Sequence, residues 1–157
     1  MEVIFIDLTE EIIARVYKEI ELELDKMIDR WGLTEGEKRV IMSRLKGTTD
    51  YNDIKDVDLV IESINSQKPG TNVHLRKEIF AKAEAVVSVD TIITSNNSTL
   101  MISDLAAVLQ HPERALGFHF IGPASSIKVV EVVRGLETNN YAYEFMLKFA
   151  KTIDKEP

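Results

Sequence analysis

The chain has 157 residues, 45% hydrophobic and 29% charged, with a net charge of -7 and a pI near 5.0. Those values fit one globular domain with a real core, and the acidity excludes a nucleic-acid surface, which needs a basic face. No apolar run approaches the roughly 20 residues of a membrane span, the first residues lack the basic start and cleavage site of a signal peptide, and the absence of cysteine removes disulfides and thiolate metal sites. Three scattered histidines do not make a zinc cluster, so no metal is expected. The expected setting is the cytoplasm.

Residues 3–6, Val-Ile-Phe-Ile, are a solid apolar run that ends on Asp7. A run apolar on both faces predicts a strand in the middle of a parallel sheet. Thr9 and two glutamates then predict a helix start. Ile12, Ile13, Val16, Ile20, Leu24, Met27, Ile28 and Trp31 recur at helical spacing, and Gly32 is expected to close that helix. Thr34 and Glu37 form a capping-box pattern for a second helix, expected to end at Gly47, with "TTDYNDIKD" as a loop behind it.

"VDLVIESI" (57–64) predicts the next buried strand. "NSQKPGTN" (65–72) is turn-rich, and a helix is predicted over 74–86. "TIITS" (91–95) predicts a short strand, and "NNST" leads into a helix that must end before Pro112. "RALGFHFIGP" and "IKVVEVVRG" predict two more strands, and residues 138–153 a last helix. Strands alternating with helices imply a mostly parallel α/β sheet covered on both faces. Ligands of such sheets sit beyond the carboxyl ends of the strands.

Four residues near those ends carry candidate chemistry. Asp7 is either a turn acid or the acid that bonds the adenosine ribose of NAD; no G-x-G-x-x-G occurs anywhere in the chain. His119, between Phe118 and Phe120, is either a packed core residue or a base. Glu131, between paired valines, is costly to bury unless bonded. An adjacent His119 would satisfy it and would fix the imidazole tautomer. The alternative is that Glu131 reaches solvent or pairs with Arg134 or Lys128. Ser98 is either a helix N-cap or a hydroxyl that bonds a substrate oxygen. His74 and His111 are read as surface or helix-end residues without a role.

"DVDLVIESI", "IITSNNSTLMISDLA", "PERALGFHFIGPA" and "KVVEVVRGLET", in this order and at this spacing, resemble the nucleotide-binding domain of the NAD-dependent 3-hydroxyacyl-CoA dehydrogenases, including the 3-hydroxybutyryl-CoA enzymes. The resemblance covers nearly the whole chain. It implies a Rossmann-like fold, NAD as cofactor and hydride transfer from a 3-hydroxyacyl-CoA to give the 3-oxo thioester. It implies that His119 takes the proton of the 3-hydroxyl, Glu131 orients it, Ser98 bonds the substrate oxygen and Asp7 bonds the ribose. Ser63, Ile64 and Asn96 fall where the family lines its cofactor groove.

The sequence departs from the family pattern at three places. Ser66 stands where many relatives have a second glutamate, Arg76 about where they have a lysine behind the inserted "KPGTN", and Gly122 where they have an asparagine. The resemblance further implies that residues 1–157 are a partial dinucleotide-binding domain, lacking the first strand, the glycine-rich turn and the helical C-terminal domain. On that reading Asp7 has lost its phosphate loop, NAD binding is weak or absent and the chain alone is inactive. Its open sheet edges make it a homo-oligomer: either strand 3–7 pairs with the "DLVIESI" strand, or a second copy supplies the missing neighbour. A non-catalytic binding or assembly module on the same fold is the competing function.

Overall fold

The computed structural model describes residues 1–64 and 72–157. Ser66 and all of the expected insertion but Asn72 fall in 65–71, outside the described residues. The chain divides into two compact units, Met1–Ile54 and Lys55–Pro157.

The first unit begins with β1 (Val3–Ile6), α1 (Glu10–Asp29) and α2 (Glu35–Ser43). Thr9 caps α1 by accepting from the Ile12 amide, and the Thr34/Glu37 capping box is formed in both directions. Two boundaries differ from expectation. The left-handed residue after α1 is Trp31 (φ 59°), one position before Gly32. The second helix stops at Ser43 rather than at Gly47, because Leu45–Thr48 is a strand, β2.

β2 lies parallel to β1, with Val3 opposite Leu45 and Ile6 opposite Thr48. Gly47 lets β2 come close: a Cβ there would lie 2.4 Å from Ile13 Cγ2 and 2.8 Å from the Phe5 ring. The Tyr17 hydroxyl donates to the Leu45 carbonyl at 3.2 Å and accepts from the Gly47 amide at 2.8 Å, so α1 satisfies backbone groups of β2.

The second unit holds β3 (Leu59–Glu62), α3 (Val73–Glu84), β4 (Ile92–Ser95), α4 (Ile102–Ala106), β5 (Ala115–Phe120), β6 (Val130–Arg134) and α5 (Asn140–Thr152). The sheet order is β3-β4-β5-β6, parallel except for antiparallel β6. Successive side chains alternate between faces. Ile92, Leu116, Phe118 and Val130 pack on Ala142, Met146 and Ala150 of α5. Ile93 and Ala115 point the other way, onto Phe80, Leu105 and Ala106 of α3 and α4. Helices thus cover both faces of a Rossmann-like sheet. Among the described residues no helix is long and apolar enough to cross a membrane.

A buried arginine ties the starts of β4 and β5. Arg114 donates to the Thr91 carbonyl at 3.3 Å, to the Ser88 carbonyl and to Glu84 at 3.0 Å. Glu84 also accepts from the amides of Gln110 and His111.

Candidate active site

β5 and β6 are antiparallel, and their register sets His119 directly opposite Glu131. The same face carries Gly117 opposite Val133, while Phe118 and Phe120 point to the α5 side, where Phe118 meets the Phe120 and Phe149 rings edge-on. Nδ1 of His119 lies 2.8 Å from Oε2 of Glu131. An ionised carboxylate only accepts, so Nδ1 carries the proton and Nε2 is the basic nitrogen of the neutral ring. The imidazole is 19% exposed and the carboxylate 55%. Glu131 is therefore not buried, as its valine neighbours suggested; it stands on the outer strand, bonded to His119 and open to water. The alternative partners are engaged elsewhere: Arg134 donates to the Thr138 carbonyl and stacks on Tyr143, and Lys128 pairs with Asp154. Exposed Ile121, Val129 and Val133 flank the pair. A ligand seated on them would shed water from the imidazole.

The ends of β3, β4 and β5 are joined by one amide. Asn96 Oδ1 accepts from the Phe120 amide at 2.9 Å, which leaves Nδ2 to donate to Ser63 Oγ at 2.9 Å. Ser63 and Asn96, two of the residues expected to line the cofactor groove, are thus brought together beside the backbone of Phe120. Ser98 is exposed in the loop after β4 and is not an N-cap, since α4 starts after Met101 without a side-chain cap. Asn97 shapes that loop, its Oδ1 accepting from the amides of Thr99 and Leu100. His74 and His111 are exposed; the His111 ring lies 3.3 Å from the Glu113 carboxylate.

Asp7 follows β1 in the first unit, half-buried. Its amide continues the β1–β2 ladder to the Thr48 carbonyl, and its Oδ1 accepts from the Leu8 amide at 2.7 Å. The carboxylate is held at a strand's carboxyl end with acceptor capacity to spare, which suits the vicinal hydroxyls of a ribose. Among the described residues no group of acidic and histidine side chains could hold a metal.

Reading the sequence missed Glu62, Ser95 and the place of Arg76. Arg76 does not reach outward; it lies buried against Glu62. The one signal was a glutamate at the end of the apolar run "DLVIE".

A family model described as "3-hydroxyacyl-CoA dehydrogenase, NAD binding domain" matches residues 1–157. The 3-hydroxybutyryl-CoA dehydrogenase of Clostridioides difficile is 29% identical over 138 residues, which are 88% of this chain and 47% of that protein. The fatty acid oxidation complex subunit alpha of Acinetobacter baylyi is 34% identical over 134 residues, 85% of this chain and 18% of that protein. Among solved structures, the (S)-3-hydroxybutyryl-CoA dehydrogenase PaaH1 from Ralstonia eutropha superposes with a TM-score of 0.94 at 30% identity, covering 100% of this chain and 54% of that one. The chain spans about half the length of the first of these relatives, and less of the second.

Proposed function

The chain belongs to the 3-hydroxyacyl-CoA dehydrogenase family, as its NAD-binding domain, and from that premise we propose that it serves in NAD-linked oxidation of a 3-hydroxyacyl-CoA to the 3-oxoacyl-CoA. The observation that carries the proposal is the His119–Glu131 hydrogen bond at 2.8 Å, a base held by an orienting carboxylate. His119 Nε2 takes the proton of the 3-hydroxyl. Glu131 keeps Nδ1 protonated and stabilises the imidazolium that results. Ser98 hydrogen-bonds the substrate oxygen as it becomes a carbonyl. Asp7 holds the ribose of the cofactor, and Ser63, Ile64 and Asn96 line its groove. NAD, when bound, supplies the hydride acceptor.

Residues 1–157 act in this proposal as the dinucleotide-binding part of the enzyme, in a cytoplasmic setting and in a homo-oligomer whose size sedimentation equilibrium reads. A non-catalytic module would have no use for an oriented base, and the bonded pair speaks against that reading. The test places this chain in the Clostridioides difficile relative, in exchange for the residues it matches, and follows NADH formation from 3-hydroxybutyryl-CoA. Activity that disappears in His119→Ala supports the proposal. A folded chimaera that is inactive, or one as active without His119 as with it, refutes it.

A further inference from the structure

Glu62 ends β3 with its carboxylate fully buried. Burying a charge in this way is costly unless every lone pair finds a donor. Oε1 accepts from Arg76 Nη1 and from the Ile64 amide at 2.7 Å, and Oε2 accepts from Ser95 Oγ at 2.6 Å. Arg76, on α3, uses its second terminal nitrogen on the Ile64 carbonyl at 2.9 Å. One guanidinium therefore grips both the carboxylate and the turn that follows it.

The network continues into the next loop. Ser95 Oγ accepts from the Asn97 amide and from Asn97 Nδ2, both at 3.3 Å. Asn97 in turn folds the loop that carries Ser98. Meanwhile the Asn96 amide donates to the Glu62 carbonyl at 2.7 Å. The two loops that the proposed reaction needs, 63–64 and 95–98, thus share one buried anchor.

We infer that Arg76 and Glu62 are a positioning pair, which sets the cofactor-side loop at Ser63 and Ile64 and the substrate-side loop at Ser98 in register with each other. The inference rests on the proposed function for what those loops do, and on the bonds alone for what holds them. Both residues are buried, so they act through the loops they hold. The guanidinium fork is needed because two acceptors lie in different directions; an ammonium on a flexible stem does not present both donors in fixed geometry.

Arg114–Glu84 supplies the control, being a buried arginine–glutamate pair of the same chemistry at the other end of the strands. Amide hydrogen exchange by NMR is measured on the full chain as wild type, Arg76→Lys, Ser95→Ala and Arg114→Lys, together with NADH fluorescence titrations carried to millimolar concentration. Arg76→Lys is expected to speed exchange at Ile64 and Asn97 by about tenfold over wild type, a local opening that the rest of the sheet does not share. Ser95→Ala is expected to free Asn97 while leaving Ile64 protected. Arg114→Lys is expected to leave both loops as they are. NADH affinity is expected to fall about tenfold in Arg76→Lys, as misplacing a binding loop does, and to hold in Arg114→Lys. Unchanged exchange at both amides, or a uniform speeding that Arg114→Lys reproduces, overturns the pair. So does a loosened loop with unchanged NADH affinity. If Arg76→Lys does not fold, Ser95→Ala decides, and unchanged exchange at Asn97 overturns the anchor. A wild-type chain that takes no NADH agrees with the weak or absent binding expected of it, and the exchange pattern then decides the pair.

Discussion

His119 and Glu131 face each other across the β5–β6 ladder, with Nδ1 and Oε2 2.8 Å apart. Strand pairing fixes this contact. Neither side chain is held by a loop, so the pair's geometry follows from a register that the alternating core residues Phe118 and Val130 enforce from the other face.

Removal of the pair is expected to cost rate and little stability. In the chimaera described above, His119→Ala should lower kcat by about 10³-fold and Glu131→Gln by about 10²-fold, within the usual range for general base catalysis. Glu131 is exposed, so the melting transition of Glu131→Gln should move by no more than about 0.5 kcal/mol. A large loss of stability with retained activity would contradict the assignment.

Asp7→Asn is expected to raise KM for NAD by about tenfold or more, the loss of a charge-assisted hydrogen bond, with kcat held. The same change should narrow the preference for NAD over NADP, because the carboxylate repels a 2′-phosphate. Steady-state kinetics with both cofactors reads both effects. An unchanged KM for NAD would remove Asp7 from the cofactor site.

Gly47→Ala is expected to destabilise the first unit by about 1–3 kcal/mol, the cost of overpacking. Its Cβ would meet Ile13 Cγ2 at 2.4 Å. Gly36, at the start of α2, is the contrast, since its Cβ would come only within 3.8 Å of Thr34 Oγ1. Gly36→Ala should stabilise by about 0.5–1 kcal/mol through helix propensity. Urea denaturation of the two variants should move in opposite directions.

Acid is expected to weaken the second unit through Glu84. Burial pushes this carboxyl up, but the Gln110 amide, the Arg114 guanidinium and the His111 amide together outweigh it and hold the pKa below its ordinary value of 4.5. A folded pKa lowered in this way adds stability above the unfolded pKa, and that stability is lost as pH falls through the folded one. Glu84→Gln should therefore be less stable at pH 7, and the gap to wild type should close as pH drops below about 4.5. Melting curves from pH 7 to pH 3 give the comparison. A gap that stays constant would mean that Glu84 contributes shape and not charge.

The order of the elements was legible in the sequence, because each long element has its own period. The helical spacing of α1, the Thr34/Glu37 box and the β-branched runs of β3, β4 and β6 all name their structures locally. The family was legible in "GFHFIGP" and "VVEVVRG", and the partnership of His119 with Glu131 followed from the cost of a carboxylate among valines, although the structure leaves that carboxylate in water. β2 was hidden. "LKGT" has no apolar run, and it is a strand because Val3–Ile6 offers a ladder and Tyr17 and Ile13 close over Gly47.

The anchor beneath the site was hidden for a different reason. Glu62 is stabilised by Arg76, 14 residues away, and by Ser95, 33 residues away. No period links such positions. The sequence by itself determined which residues bear charge and where strands end; only the tertiary structure decided which buried charge meets which donor, since that depends on helix α3 and strand β4 packing beside β3.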